Sequence, residues 1–291
     1  MSTSIKQLLH QALKALDVQD HARASDLVNQ ALINEPTSLD AYNLREQYRL
    51  PGNFSDWMGV EGQISPDDDI FRFFSNHPTS VNPVRDYLSD GWRTAVELQQ
   101  TLDLCNKTLG RCTSFLEFAS GHGRFTRHLA RIVPKGVLTV SDVVPGSVDF
   151  LRETMGVSGF YSDVDPGKIA VPSKYEVIFV LSLFSHLPCE TWQAWFKVLF
   201  AALEPNGVLV FSTHGQKCAK LIGVEMLEMG YHFYPSSESS ALDGETYGCA
   251  YAGPQFVQKQ ITAALGEEIR IQMLTNHFWG NQDAVVVSKL I

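Results

Sequence analysis

An α/β fold, a mostly parallel sheet with helices on both faces behind a small helical extension, is what the sequence predicts. From about residue 114 onward, short apolar runs alternate with helical stretches, the pattern of strand–helix–strand units. Before that point apolar residues recur only at helical spacing. A length of 291 residues with 44% hydrophobic side chains suits one large core plus an appendage and excludes wholesale disorder.

Residues 5 to about 48 read as three short helices. Ile5, Leu8, Leu9, Ala12, Leu13 and Leu16 fall on one face of the first. Asp20 is placed to cap the second, whose stripe is Ala24, Leu27, Val28, Ala31 and Leu32. Pro36 breaks the chain, and Ser38 starts a third helix carrying Leu39, Tyr42 and Leu44. The run from Ala22 through Ala31-Leu32 to Pro36 and Ala41 resembles one tetratricopeptide unit. A single unit does not bury its apolar face alone, so it is expected to pack on the main domain or on a partner.

Pro51-Gly52, Pro66, Pro78 and Pro83 punctuate residues 51–84 as a linker with short helical turns. Within it, Asp67-Asp68-Asp69 reads as a solvated turn capping a helix at residues 70–74 rather than a metal site. Helical spacing resumes from Val84 to about Thr108. The alternation then runs strand 114–118, glycine turn, helix 125–133, strand 137–140, helix 147–155, strand 159–161, strand 177–181 and helix 190–203. Pro205-Asn206-Gly207 turns into a strand at 208–213, and a helix near 254–265 precedes late strands near 269–275 and 284–288.

Charge and cysteine usage narrow the classes of function. Lys and Arg total 23 against 32 Asp and Glu, a formal balance of −9, which argues against nucleic acid as partner because phosphate binding needs a basic face. The five cysteines include no C-x-x-C pair, so scattered thiols in a reducing compartment are expected. The N-terminal stretch lacks a signal peptide's unbroken apolar core, and no apolar run nears the roughly 20 residues of a membrane span. A cytoplasmic protein with no membrane association is the expectation.

The chemistry-bearing segment is Phe115-Leu116-Glu117-Phe118-Ala119-Ser120-Gly121-His122-Gly123-Arg124, where the first strand turns into the first helix. Open parallel sheets bind nucleotides at that place. Gly121 and Gly123 allow close approach to the backbone, and the helix start offers free N–H groups. Asp142 ends the next strand 19 residues beyond Gly123, near the roughly 20-residue offset of an acid that bonds ribose hydroxyls. A dinucleotide fold asks for a third small residue where Thr126 stands, which speaks against a nicotinamide-dependent oxidoreductase.

The turn instead resembles motif I of class I S-adenosylmethionine-dependent methyltransferases, an acid followed by spaced small residues: Glu117, Ala119, Gly121 and Gly123, with Ala119 in place of the usual first glycine. The resemblance continues in order through Asp142, Ser162-Asp163, the fourth-strand segment from Tyr175 to Leu187, and Leu203-Glu204-Pro205-Asn206-Gly207. It covers about residues 115–215. It implies a seven-stranded Rossmann-like sheet of order 3-2-1-4-5-7-6 with the last strand antiparallel. It also implies S-adenosylmethionine as cofactor, held by Glu117, Ala119, Ser120, Gly121, Gly123, Asp142, Val143, Asp163 and Leu181. The Tyr87-to-Gly91 segment resembles a lid helix, which adds Tyr87 to the cofactor's expected neighbours. The domains expected are a helical extension over 1–50, linker and lid helices over 51–108, and the methyltransferase domain over 109–291.

Transfer to a hydroxyl needs a proton acceptor, and histidine is the usual one at neutral pH. His214 after the fifth strand and His186 after the fourth are the catalytic candidates, each with a structural reading as a loop hydrogen-bonding residue. Met226, Met229, Phe233 and Tyr234 read as a lid or as simple packing, and Tyr247 as acceptor lining or core. No cluster of oxygen ligands points to a metal. The expected activity is therefore O-methylation of a small molecule or sugar. The rival reading is a non-catalytic protein of this fold that recruits a partner, or a second copy, through its N-terminal helices.

Overall fold

The computed structural model describes residues 4–80, 82–226, 230–237, 239 and 241–289. They divide into two units, Met1–Ser89 and Asp90–Ile291. Met229 of the expected lid lies outside the described residues.

In the first unit, α1 (Ile5–Asp17), α2 (His21–Asn34) and α3 (Leu39–Gln47) form where their stripes predict. Ser4 and Gln7 cap α1 reciprocally, and Asp20 accepts the Arg23 amide at the start of α2. Ala12, Ala15, Leu16, Ala24, Val28, Leu44 and Leu50 bury one another in a common cluster, so the stripes find much of their cover inside the unit. The expected linker holds two short helices, α4 (Phe54–Met58) and α5 (Asp69–Asn76). Asp68 caps α5 by accepting the Ile70 and Phe71 amides, which gives the acidic triplet its role as a helix start.

Helix α6 (Pro83–Asp103) contains the boundary between the units. Its Leu88 packs with Tyr42, Ile64, Phe71 and Tyr87, whereas its Ala95, Leu98 and Leu102 join the core of the second unit. The division at Ser89 therefore differs from the one expected near residue 108, because the two ends of one helix serve different cores.

The second unit contains β1 (Phe115–Phe118), α7 (Thr126–Ile132), β2 (Leu138–Asp142), α8 (Ser147–Met155), β3 (Ser158–Tyr161), β4 (Tyr175–Val180), α9 (Cys189–Ala201), β5 (Leu203–Thr213), α10 (Gln216–Leu221), β6 (Tyr231–Tyr234), β7 (Cys249–Ala252), α11 (Pro254–Leu265), β8 (Ile269–Phe278) and β9 (Gln282–Lys289). The main sheet runs β3-β2-β1-β4-β5-β9-β8, with β9 antiparallel to both neighbours, as the sequence implies. Alternation splits its strands between two cores. Leu116, Phe118, Ile178 and Phe211 face Trp192, Phe196, Phe256 and Ile261, while Phe115, Phe179 and Val210 face Leu98, Leu129 and Leu151.

Two details depart from expectation. The Pro205-Asn206-Gly207 turn lies inside β5 as a bulge, with Leu203 opposite Tyr175 and Val208 opposite Val177. The region after α10 forms a separate hairpin, β6 with β7. His214 bridges to Tyr251, and the Ala252 amide donates to the His214 carbonyl at 2.8 Å, so β7 is anchored at the end of β5. Among the described residues no helix is long and apolar enough to cross a membrane.

Candidate active site

The parallel strands β1, β2, β3, β4 and β5 bring their carboxyl ends to one edge of the sheet, and the expected site residues other than Tyr87 lie on or just after these strands. Leaving β1, the chain reverses through left-handed backbone at Ala119 (φ 61°), Gly121 (φ 55°) and Gly123 (φ 89°). The Ser120 amide donates to the Ser141 carbonyl at 3.1 Å, and the Gly121 amide to Asp142 Oδ2 at 2.7 Å. Asp142 Oδ1 accepts the Val144 amide at 2.8 Å. Burial raises the proton affinity of the Asp142 carboxyl, against the opposing pull of these amides and of His122.

The two glycines serve different ends. Nothing stands within 4 Å of where a Cβ at Gly121 would lie, so the backbone there is open to a ligand. A side chain at Gly123 would run into Leu151, so that glycine lets α8 pack against the turn. Beneath them Glu117 is only 3% exposed, and its carboxyl lies beside the equally buried Thr126 hydroxyl. Burial pushes the Glu117 carboxyl up to about 8; the Asp142 carboxylate adds to the rise and the neighbouring Thr126 hydroxyl opposes it.

Asp163 follows β3, half-buried, and its Oδ1 accepts the Asp165 amide at 2.9 Å. Leu181 ends β4 just before Ser182, which takes a left-handed conformation (φ 59°). Tyr87 belongs to the first unit, where it is fully buried and donates its hydroxyl to Asp68 at 2.6 Å. That bond gives it a structural partner in its own unit.

Beyond β4 and β5 the structure brings His186 and His214 together, ring centroids 5.9 Å apart. His186 is 7% exposed and stacks on Tyr247 at 4.5 Å; its Nδ1–H donates to the Gly248 carbonyl at 2.7 Å, which in the neutral ring leaves the lone pair on Nε2. His214 stacks on Tyr251 at 5.2 Å. Burial, then the neighbouring His186, pushes the His214 imidazole down to about 4, with the Ala250 backbone carbonyl opposing, so it is neutral at pH 7.

These turns and strand ends are matched by comparison with known proteins. A family profile described as a methyltransferase domain fits residues 116–209, the stretch from β1 through the start of the apolar part of β5. The match takes in about a third of the chain, the part that holds the glycine turn. Among curated proteins none matches the chain. Among solved structures it is similar to the CcbJ methyltransferase from Streptomyces caelestis, at 16% identity and a TM-score of 0.52, over 77% of this chain and 98% of that one. It is also similar to an S-adenosylmethionine-dependent methyltransferase from Clostridium acetobutylicum, at 13% identity and a TM-score of 0.49, over 68% of this chain and 92% of that one. At such identities the likeness shows the fold, and only the first exceeds a TM-score of 0.5.

The second unit also contains polar residues that sequence reasoning passed over. Ser212 Oγ donates to Gln282 Oε1 at 2.7 Å and accepts the Ser182 amide at 2.7 Å, while Gln282 Nε2 donates to Ser182 Oγ at 2.9 Å. This network ties β4, β5 and β9 together at the site edge. The one signal in the sequence is a glutamine, followed by Asp283, just ahead of the apolar run over residues 284–287 of β9. Arg124, just past the glycine turn, pairs with Asp90 and lies over the Trp279 ring at 5.0 Å. Gly91, read as part of a lid, instead lets α6 lie directly on the Arg124 carbonyl and His128. Among the described residues no group of three or more His, Cys, Asp or Glu side chains is placed to hold a metal ion.

Proposed function

We propose that the chain transfers a methyl group from S-adenosylmethionine to a hydroxyl oxygen of a small molecule. The observation that carries this reading is the buried Asp142 carboxylate joining the ends of β1 and β2 beside the open backbone of Gly121. The residues fit the methyl donor. A carboxylate has about four lone-pair sites and the two backbone amides use two, which leaves capacity for ribose hydroxyls. In this reading Ala119, Ser120 and Gly121 present backbone to the donor's amino-acid end, and Asp163 meets the adenine amino group. Val143 and Leu181 flank the base, while Glu117 and Gly123 support the turn from behind.

The donor supplies a methyl group on a positively charged sulfur. The acceptor oxygen attacks that methyl carbon in line, forming the O–C bond as the C–S bond breaks and its electron pair stays on sulfur. Much of the rate then comes from holding the two reactants in position. The acceptor's proton leaves to a base, for which His186 Nε2 and the neutral His214 ring stand nearest the ends of β4 and β5.

Calorimetric titration of the purified chain with S-adenosylmethionine and, separately, NAD tests the reading. Binding of the first alone is expected, followed by release of S-adenosylhomocysteine with a hydroxyl acceptor. Absence of binding in folded, ligand-free protein would overturn it.

A further inference from the structure

The acceptor side is built from rings in an ordered arrangement. Tyr247 and His214 are half-buried, and each is backed by a buried ring: Tyr247 by His186 (7% exposed) at 4.5 Å and 15°, His214 by Tyr251 (6% exposed) at 5.2 Å and 28°. The backing rings are themselves pinned. His186 donates to the Gly248 carbonyl at 2.7 Å, and the Cys249 thiol donates to the Tyr251 hydroxyl at 3.2 Å. Rings fixed in this way present flat apolar area and lose little freedom when a ligand arrives.

Resting on the methyltransferase reading, we infer that the acceptor is a planar aromatic alcohol, a phenol or naphthol, stacked against the Tyr247 and His214 rings. A sugar hydroxyl offers these rings no π-face and needs hydrogen-bonding partners instead. Proton chemistry agrees. A phenol gives up its proton near pH 10, whereas an alkyl hydroxyl holds it about as tightly as water, near 16. Burial keeps the His214 imidazole a weak base, for which a phenol is much the less demanding of the two acceptors.

The test titrates 2-naphthol and methyl α-D-glucoside into the full-length chain, with and without saturating S-adenosylhomocysteine, by calorimetry. Binding of 2-naphthol without measurable binding of the glucoside is expected. Tyr247→Ala should weaken 2-naphthol on the order of tenfold, and Tyr247→Phe should restore it, because stacking needs the ring and not the hydroxyl. Equal binding of the two probes, or unchanged 2-naphthol affinity in folded Tyr247→Ala and Tyr247→Leu, would overturn the inference. Titration of the same proteins with S-adenosylhomocysteine reads the donor site separately: its failure would sink the methyltransferase reading, while the contrast between naphthol and glucoside would still decide the acceptor class.

Discussion

Asp142 holds the turn after β1 against the end of β2: its Oδ2 accepts the Gly121 amide at 2.7 Å and its Oδ1 the Val144 amide at 2.8 Å. One carboxylate thereby fixes the shape of the glycine turn, and in the proposed reading it takes ribose hydroxyls as well. Asp142→Ala is expected to weaken S-adenosylmethionine binding by about 1–3 kcal/mol, since it removes an acceptor and leaves two amides without their partner. Calorimetry on folded variant protein checks this, and unchanged affinity would remove Asp142 from the ribose role.

Ala119 stands at φ 61°, where an L-residue with a Cβ is strained by about 1–2 kcal/mol and glycine is not. Ala119→Gly relieves that strain but adds about 0.5–1 kcal/mol of unfolded-chain freedom. The net expectation is a gain of up to about 1 kcal/mol in stability, measured as a urea midpoint shifted upward at constant slope. A clear loss would show that the Ala119 methyl group makes packing contacts worth more than the strain.

The sheet was legible because burial on both faces leaves continuous apolar runs, such as Val177-Ile178-Phe179-Val180, that sequence alone marks as strands. The glycine turn was legible because its left-handed backbone at Ala119, Gly121 and Gly123 is met by residues a few positions apart. The β6–β7 hairpin was not. Its strands are four residues each, separated by a long excursion, and are held by the non-local bridge from His214 to Tyr251. The Ser182–Ser212–Gln282 network was hidden for the same reason: its members lie 30 and 70 residues apart, and each serine alone reads as a strand-end polar residue. His186 and His214 were singled out by position, but their ring partners came from that unforeseen hairpin.

Glu117 gives the fold a pH dependence of definite sign. Its carboxyl is pushed up to about 8 in the folded chain from an ordinary 4.5, so between those values the native state holds a proton that the unfolded chain has released. Stability should therefore fall as pH rises across that window, by at most about 1.4 kcal/mol per pH unit from this group. Urea midpoints of the ligand-free protein from pH 5 to 8 should decline, and Glu117→Gln should flatten the decline. An equal slope in wild type and variant would assign the effect elsewhere, with Asp142 the next group to test because burial raises it in the same direction.

Gln282 is 4% exposed and holds two serine hydroxyls at once. Gln282→Ala removes both partners and leaves a void among β4, β5 and β9, so a loss of about 1–3 kcal/mol in stability is expected. Gln282→Glu keeps the shape but places a charge at a buried site and should also destabilise. Thermal unfolding of the two variants checks this; wild-type stability in Gln282→Ala would mean that the serines find other partners.

His214 should stay neutral well below the pH at which an exposed imidazole gains its proton. Burial and the adjacent His186 push it down to about 4 from an ordinary 6.5. Below 6.5 the unfolded chain takes up a proton that the folded ring refuses, so this residue's contribution is fully present above 6.5 and is lost as pH falls towards 4. In imidazole NMR spectra the His214 signal is expected to remain at its neutral position from pH 8 down to about 5, and His214→Asn should soften the loss of stability at acid pH. A midpoint near 6.5 would show that water reaches the ring. It would also restore His214 as a base of ordinary strength, which would remove the proton-chemistry argument for a phenolic acceptor and leave the stacked rings to carry it.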